Sequence, residues 1–195
     1  MASPLIVAGQ ILQAGQGLGQ LSQYYGYADG NATTVTASTA TNLSTSYTIP
    51  AGEPYANAAY ELTCAGYGTW ASSGPQALTL SPFLGSGTIT GTARVIAAAA
   101  FSTSAAFQWS ALIELTCTDG VSGWQASWRG AVAETANALN PGTAADNSVA
   151  LAGATTASYT AAVSSALSVA LKAQWASTTG GPTLTCVRTT FRKVA

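Results

Sequence analysis

Two long stretches of alternating apolar and polar residues flank a short polar turn in the middle of the chain, between residues 106 and 132. The apolar positions are Phe107, Trp109, Ala111, Ile113, Leu115 and Cys117 in the first stretch and Trp124, Ala126, Trp128, Gly130 and Val132 in the second. Strict alternation over such a length predicts strands that bury one face. The intervening Asp119-Gly120 and Ser122-Gly123 pairs tolerate turn conformations, so we predict an antiparallel hairpin.

Shorter strand patterns fill most of the chain from Thr33 onward, and no stretch has a convincing helical period. The predicted strands cover residues 33–40, 44–49, 58–70, 76–84 and 91–100 before the hairpin, and 148–151, 166–175 and 183–192 after it. Turn signals separate them at roughly the 8–12-residue spacing that is typical of antiparallel sandwiches. We therefore predict an all-β domain over residues 33–195, an antiparallel two-sheet β-sandwich that is jelly-roll-like.

Residues 1–32 differ from the rest because glycine recurs among glutamine and aliphatic residues. Glycine at this density disfavours an isolated helix, and the segment lacks the basic start of a signal peptide. We interpret it as an extended N-terminal arm that becomes ordered by docking on a partner, with a flexible terminus as the alternative. The residues expected to dock are Leu5, Ile6, Val7, Ile11, Leu12, Leu18, Leu21, Tyr24, Tyr25 and Tyr27.

Charge is scarce: Asp, Glu, Lys and Arg make up 7% of the chain, against about 25% in ordinary soluble domains. The net charge is −1 and the six basic residues are scattered, which argues against nucleic-acid and anionic-membrane partners. An uncharged apolar window of near membrane-span length, residues 95–113, contains several polar residues and ends in strand-like alternation, so we reject a membrane span. A surface this poor in charge favours a stable oligomer or a docked subunit; a secreted protein is the alternative.

The sequence offers little for catalysis. Without any histidine, Ser-His and Cys-His nucleophilic arrangements are excluded. Glu61 and Glu114 are predicted to face outward and could meet across a sheet as a glycosidase pair, or pair instead with Arg129 or Arg94. We expect no enzymatic activity and no cofactor. A calcium site formed by Asp119, Asp146 and loop carbonyls would lack a clustered oxygen motif.

The three cysteines, Cys64, Cys117 and Cys186, each follow a Leu-Thr pair within a predicted strand. A zinc site would have to be assembled from three separate strands without histidine, and buried free thiols are the simpler interpretation. One disulfide with one remaining thiol stays open as an alternative.

The aromatic residues raise a second functional hypothesis, a carbohydrate-binding β-sandwich module. Three of the tryptophans, Trp124, Trp128 and Trp175, alternate in phase with apolar neighbours, which favours a position in the core or in a subunit interface. The residues expected to stack against a glycan are Trp70, Tyr67 and Tyr55.

The order of these features resembles that of bacteriophage virion proteins, namely the small trimeric jelly-roll domains of capsid decorations, head fibres and minor tail proteins, especially from phages of actinobacteria. The resemblance lies in the arm LIVAGQILQAG, the Thr-rich entry TTVTASTATNLSTSYTIPAG, the strand AYELTCAGYGTW, the hairpin AFQWSALIELTCTDGVSGWQASWRG, the strand VALKAQWASTTGGPTLTC and the ending LTCVRTTFRKV. It spans nearly the whole chain, but its motifs are β-sandwich patterns.

This resemblance implies a homotrimer without enzymatic activity, assembled in the bacterial host cytoplasm and located in the virion. The arm would dock on capsid or tail proteins, and the sandwich would project outward. Because the chain has no coiled-coil or collagen-like shaft, a decoration protein, short spike or minor tail component fits better than a complete long fibre. A host-surface glycan is the further partner expected under the carbohydrate-binding hypothesis.

Overall fold

Every regular element in the described part of the chain is a β-strand. The structure, a computed structural model, describes residues 23–69, 76–89, 93–96, 106–134, 148–150 and 153–194. The strands are β1 (Gln23–Val35), β2 (Thr41–Asn42), β3 (Tyr47–Ile49), β4 (Ala59–Thr69), β5 (Leu78–Leu84), β6 (Gly87–Thr88), β7 (Arg94–Ile96), β8 (Ala106–Cys117), β9 (Gly123–Glu134), β10 (Ser148–Ala150), β11 (Gly153–Thr160), β12 (Leu167–Trp175) and β13 (Thr183–Lys193). The predicted all-β class is confirmed.

The strands form two antiparallel sheets that pack against each other. The larger sheet has the order β1-β13-β4-β8-β9-β10, and β11 also pairs with β9. The smaller sheet has the order β2-β12-β5-β6, with β3 pairing with β12 and β7 with β5. Because the chain passes repeatedly from one sheet to the other, the fold is the jelly-roll-like β-sandwich that the sequence predicts.

The core lies between the sheets and is built mainly from alternate apolar residues of β4, β5, β8, β9, β12 and β13. Trp124, Trp128 and Trp175 are all buried there, as their phase predicts. The Trp124 Nε1–H donates to the Ala161 carbonyl at 3.0 Å, and the Trp175 Nε1–H donates to the Val35 carbonyl at 3.1 Å. These two indoles therefore fill the core and also hold the loops and strand ends around it.

The central hairpin forms as predicted, with β8 and β9 paired in an unbroken antiparallel register. In its loop, Asp119 Oδ1 accepts the backbone N–H groups of Val121, Ser122 and Gly123 at 2.8, 2.8 and 2.9 Å. Gly120 has a φ of 69°, a conformation that glycine adopts without steric cost. The Asp-Gly pair thus closes the loop through one carboxylate and one glycine.

The strand boundaries differ most from the prediction in two regions. The strand predicted over residues 33–40 is instead β1, which begins at Gln23 and ends at Val35. The last part of the predicted arm, residues 23–32, therefore forms most of β1 and pairs with β13. Residues 1–22, with the arm's aliphatic positions, lie outside the described residues. Strand β11 was not predicted because its sequence, GATTASYT, has small residues and no apolar alternation.

Candidate functional site

An open trough of about 590 Å³ lies across β13, β4, β8 and β9 on the outer face of the larger sheet. Small residues from three strands form its floor, and larger polar side chains stand around it. The floor comprises Ala65, Gly66, Ser110, Ala131 and Ala133, and the surrounding polar side chains are Tyr67, Gln108 and Arg188.

The strand register explains the shape of the trough. Ala65, Ser110 and Ala131 are direct partners across β4, β8 and β9. Side chains of this size cannot fill the space above the sheet, so a hollow remains along the row. In the next row, Tyr67 lies beside Gln108 and limits the hollow on one side.

A β-bulge in β13 shapes the opposite side of the trough. Cys186 pairs with Gly66 and Arg188 pairs with Ala65, so Val187 is an extra residue in β13. A Cβ atom on Gly66 would lie 1.9 Å from the Thr185 carbonyl oxygen, which means that only glycine permits this close backbone approach. The bulge brings Val187 and Arg188 to the trough. Beyond the bulge, the alternation of inward-facing and outward-facing residues in β13 is shifted by one position.

The trough presents an aromatic ring, an amide, a hydroxyl and one cation. Tyr67 is 49% exposed, and no hydrogen bond or ion pair within the described part of the chain holds the side chain of Tyr67 or Arg188. No carboxylate is among the described residues that line the trough. Glu61 lies four residues from Ala65 along β4, about 13 Å away at the usual rise. Asp29 is the register partner of Arg188 on β1, across β13 from the trough.

Tyr55, the other exposed tyrosine of the predicted glycan platform, lies at the opposite end of β4. The strand from Ala59 to Tyr67 alone spans roughly 26 Å at the usual rise, so Tyr55 and Tyr67 do not share one platform. Lys193 Nζ lies 4.5 Å from the Tyr55 ring centroid and 3.7 Å from Glu53 Oε1. Trp70, the third residue of that prediction, lies outside the described residues.

Glu61 and Glu114 do meet across the larger sheet, where they are direct register partners on β4 and β8. Glu61 is held by Arg192, whose Nε–H donates to Glu61 Oε2 at 2.8 Å. Its partner is therefore neither of the two arginines, Arg129 and Arg94, considered from the sequence. The pair lies on an open sheet face with an arginine on one carboxylate, which is the arrangement of a surface ion pair.

All three cysteines are buried free thiols. Cys64 and Cys186 lie on the inner face of the larger sheet, where Cys186 Sγ is 3.4 Å from the hydroxyl of Thr189, the register partner of Cys64. Burial raises the pKa of Cys64 well above its usual value, and a hydrogen bond from Cys64 lowers the pKa of Cys186 to about 7. Desolvation raises the pKa of nearby Tyr47 to about 12. These groups belong to the enclosed core and contribute packing there.

Comparison with known proteins adds no identification: no protein-family model, curated protein or solved structure matches the chain. Across the described ranges, no three His, Cys, Asp or Glu side chains are grouped so that they could hold a metal ion. No helix in the described part of the chain has the length and apolarity to cross a bilayer. The trough is therefore the strongest candidate site in the described structure.

Sequence reasoning selected Tyr67 but missed the other polar residues of the trough. Gln108 and Ser110 occupy outward positions of the predicted strand β8, and the register that places them beside Tyr67 is not visible in one sequence. For Arg188 there is a usable signal. Cys186 and Phe191 are both buried although they are five positions apart, an offset that strict alternation places on opposite faces, so an extra residue lies between them.

Proposed function

We propose that the chain is a non-enzymatic structural component of a bacteriophage particle, namely a homotrimeric decoration, head-fibre or short-spike protein. It docks on capsid or tail proteins through the part of the N-terminal arm that precedes β1, residues 1–22, and projects the β-sandwich outward. The proposal places the protein in the virion after assembly in the host cytoplasm. The phage context comes from the sequence resemblance described above.

The observation that carries the proposal is the scarcity of charge on a sandwich of this size. Only 7% of the residues are charged, and ion pairs engage two of the acidic ones, since Glu61 pairs with Arg192 and Glu53 with Lys193. A free monomer needs mixed surface charge to stay dispersed. Subunit contacts that cover part of the surface remove that need.

The test is the mass of the purified protein by light scattering, for the full chain and for a chain lacking residues 1–22. The truncation ends before Gln23 because β1 pairs with β13 from that residue onward. We expect a trimer of about three times 19.5 kDa in both cases, and loss of particle binding in the shorter chain. A monomer in both cases contradicts the trimeric proposal.

A carbohydrate-binding module is the second candidate, and the trough on the larger sheet favours it. Its volume, about 590 Å³, lies within the range of roughly 300–1,000 Å³ that small-ligand sites occupy. Tyr67 provides an exposed ring beside it. Recognition of a host-surface glycan by this trough is compatible with attachment to a virion, because arm and trough are separate parts of the chain.

A further inference from the structure

We propose that the trough binds an acidic saccharide, with one sugar ring against Tyr67 and the carboxylate of the sugar at Arg188. The inference rests on the carbohydrate-binding candidate and names its ligand class. It concerns the outer face of the larger sheet across β13, β4, β8 and β9, and needs no residue of the N-terminal arm.

The shape and the neutral polar groups of the trough suit a sugar. Ala65, Ser110 and Ala131 form a low floor on which a ring can lie, and the half-exposed ring of Tyr67 stands beside it. An aromatic face packs well against the C–H face of a sugar. Gln108 offers both a donor and an acceptor for hydroxyl groups, and Ser110 offers a hydroxyl of its own.

The charge of the trough selects an acidic ligand. Arg188 is exposed and lines the trough, and its planar guanidinium can form two parallel hydrogen bonds with one carboxylate. No carboxylate is among the described residues that line the trough. Asp29, the register partner of Arg188, lies on β1, the neighbouring strand on the side of β13 away from the trough.

The experiment uses the full-length protein on an array of uronic-acid-containing oligosaccharides, each printed beside its carboxyl-reduced neutral form. The two forms of a pair differ in one functional group, so the array isolates the carboxylate. We expect retention on at least one acidic oligosaccharide, at least about tenfold weaker retention on its reduced form, and weakening of the acidic interaction with added salt.

Two substitutions assign the binding to the trough. Tyr67→Ala and Arg188→Gln are each expected to reduce affinity for the acidic oligosaccharide about tenfold or more. Tyr55→Ala removes an equally exposed tyrosine at the other end of β4 and is expected to retain binding. Arg188→Gln is further expected to abolish the preference for the acidic form over the reduced form.

Three outcomes overturn the inference: no acidic oligosaccharide is retained, the reduced forms bind equally well, or Tyr67→Ala binds like the native protein. Circular dichroism of each variant confirms that a loss of binding is not a loss of fold. None of these outcomes bears on the trimeric virion proposal, which stands or falls on the light-scattering mass and on particle binding.

Discussion

The two ends of β4 carry equally exposed tyrosines in opposite surroundings. Tyr55 is 51% exposed and Tyr67 is 49% exposed. At the first end, the Lys193 ammonium lies over the Tyr55 ring and beside Glu53, whose Oε1 accepts a hydrogen bond from the Tyr60 hydroxyl at 3.2 Å. At the second end, Tyr67 stands beside a hollow floored by small residues. Exposure alone therefore does not distinguish a tyrosine in a structural cluster from one that is free to contact a ligand.

The difference follows from what the neighbouring strands contribute. Near Tyr55, the β8–β9 loop packs closely, and a Cβ on Gly120 would lie 2.8 Å from the Ala56 nitrogen. Near Tyr67, β8 and β9 contribute Ser110, Ala131 and Ala133. We name the two regions the loop end and the trough end. The loop end is filled and paired, whereas the trough end is open.

The largest expected effect is at the trough end, where Gly66→Ala places a Cβ against the Thr185 carbonyl. Because backbone on both strands must shift, we expect a loss of about 3 kcal/mol or more in the free energy of unfolding. Gly52→Ala is the control, because Gly52 has a φ of +73° and open space around it. The variant should lose only about 1–2 kcal/mol, the backbone strain that a side chain causes at positive φ. Chemical denaturation measures both, and equal losses contradict the close approach at the bulge.

At the loop end, Lys193→Met removes the ion pair with Glu53 and the cation–π contact with Tyr55. Both side chains of the ion pair are less than one-fifth exposed, so we expect a loss of about 1–2 kcal/mol. Lys172→Met is the matched control, because Lys172 Nζ lies 4.0 Å from the Phe83 ring centroid on the smaller sheet and has no carboxylate partner in the described structure.

We expect the control to lose less than Lys193→Met in the same denaturation experiment. A double-mutant cycle with Tyr55→Ala then isolates the cation–π contact, with a coupling of about 0.5–1 kcal/mol. A coupling of zero means that the Tyr55 ring contributes nothing to the effect of Lys193, which then acts through Glu53 and the more distant Tyr60 ring, and that Tyr55 is as free as Tyr67.

The hairpin that joins the two ends was predictable from the sequence, whereas the cluster around Tyr55 and the trough were not. Alternation from Phe107 to Cys117 indicated which face of β8 is buried, and Asp119-Gly120 indicated the turn between the hairpin strands. The trough depends on relations between strands: the register that aligns Ala65 with Ser110, and the bulge that turns Arg188 outward. One sequence records such relations weakly, because register is set by packing between elements distant in the chain.

The weak record of strand pairing in one sequence also explains the strand and the site residues that the sequence analysis missed or misplaced. Strand β11 (Gly153–Thr160) is held by its backbone pairing with β9, and its small residues give no periodic signal. The predicted platform joined Tyr55 with Tyr67 because both are aromatic residues close in sequence, but an extended strand keeps them apart. The pairing of Glu61 with Glu114 was predicted correctly, since both residues occupy outward positions of strands with clear alternation.

A smaller effect is expected from the Asp119 carboxylate that closes the loop end. Its hydrogen bonds from the N–H groups of Val121, Gly123 and Ser122 lower its pKa below the usual 3.8. A carboxyl whose pKa is lower in the folded state stabilises the fold above its unfolded pKa, and this contribution is lost as the pH falls through the folded pKa. Asp119→Asn should therefore lower the melting temperature at neutral pH.

The difference between Asp119→Asn and the native protein should shrink as the pH falls below 3.8 and disappear below the lowered folded-state pKa of Asp119, where the native carboxyl is neutral as well. Thermal unfolding followed by circular dichroism across this range gives the comparison. A difference that stays constant with pH shows that the shape of the side chain, rather than its charge, closes the loop. We expect no matching effect at the trough end, because the described residues that line the trough include no carboxylate.

The smallest expected effect is that of Tyr67→Ala on stability. Because no hydrogen bond or ion pair in the described structure holds the Tyr67 side chain, we expect a change within about 0.5 kcal/mol in the free energy of unfolding. Tyr55→Ala, which loses the contact with Lys193, should lose about 0.5–1 kcal/mol. Equal losses in the two variants would mean that Tyr67 also belongs to a structural cluster. If Tyr67→Ala leaves the free energy of unfolding unchanged, the fold does not need the Tyr67 ring. In the native protein that ring is then free to contact a ligand.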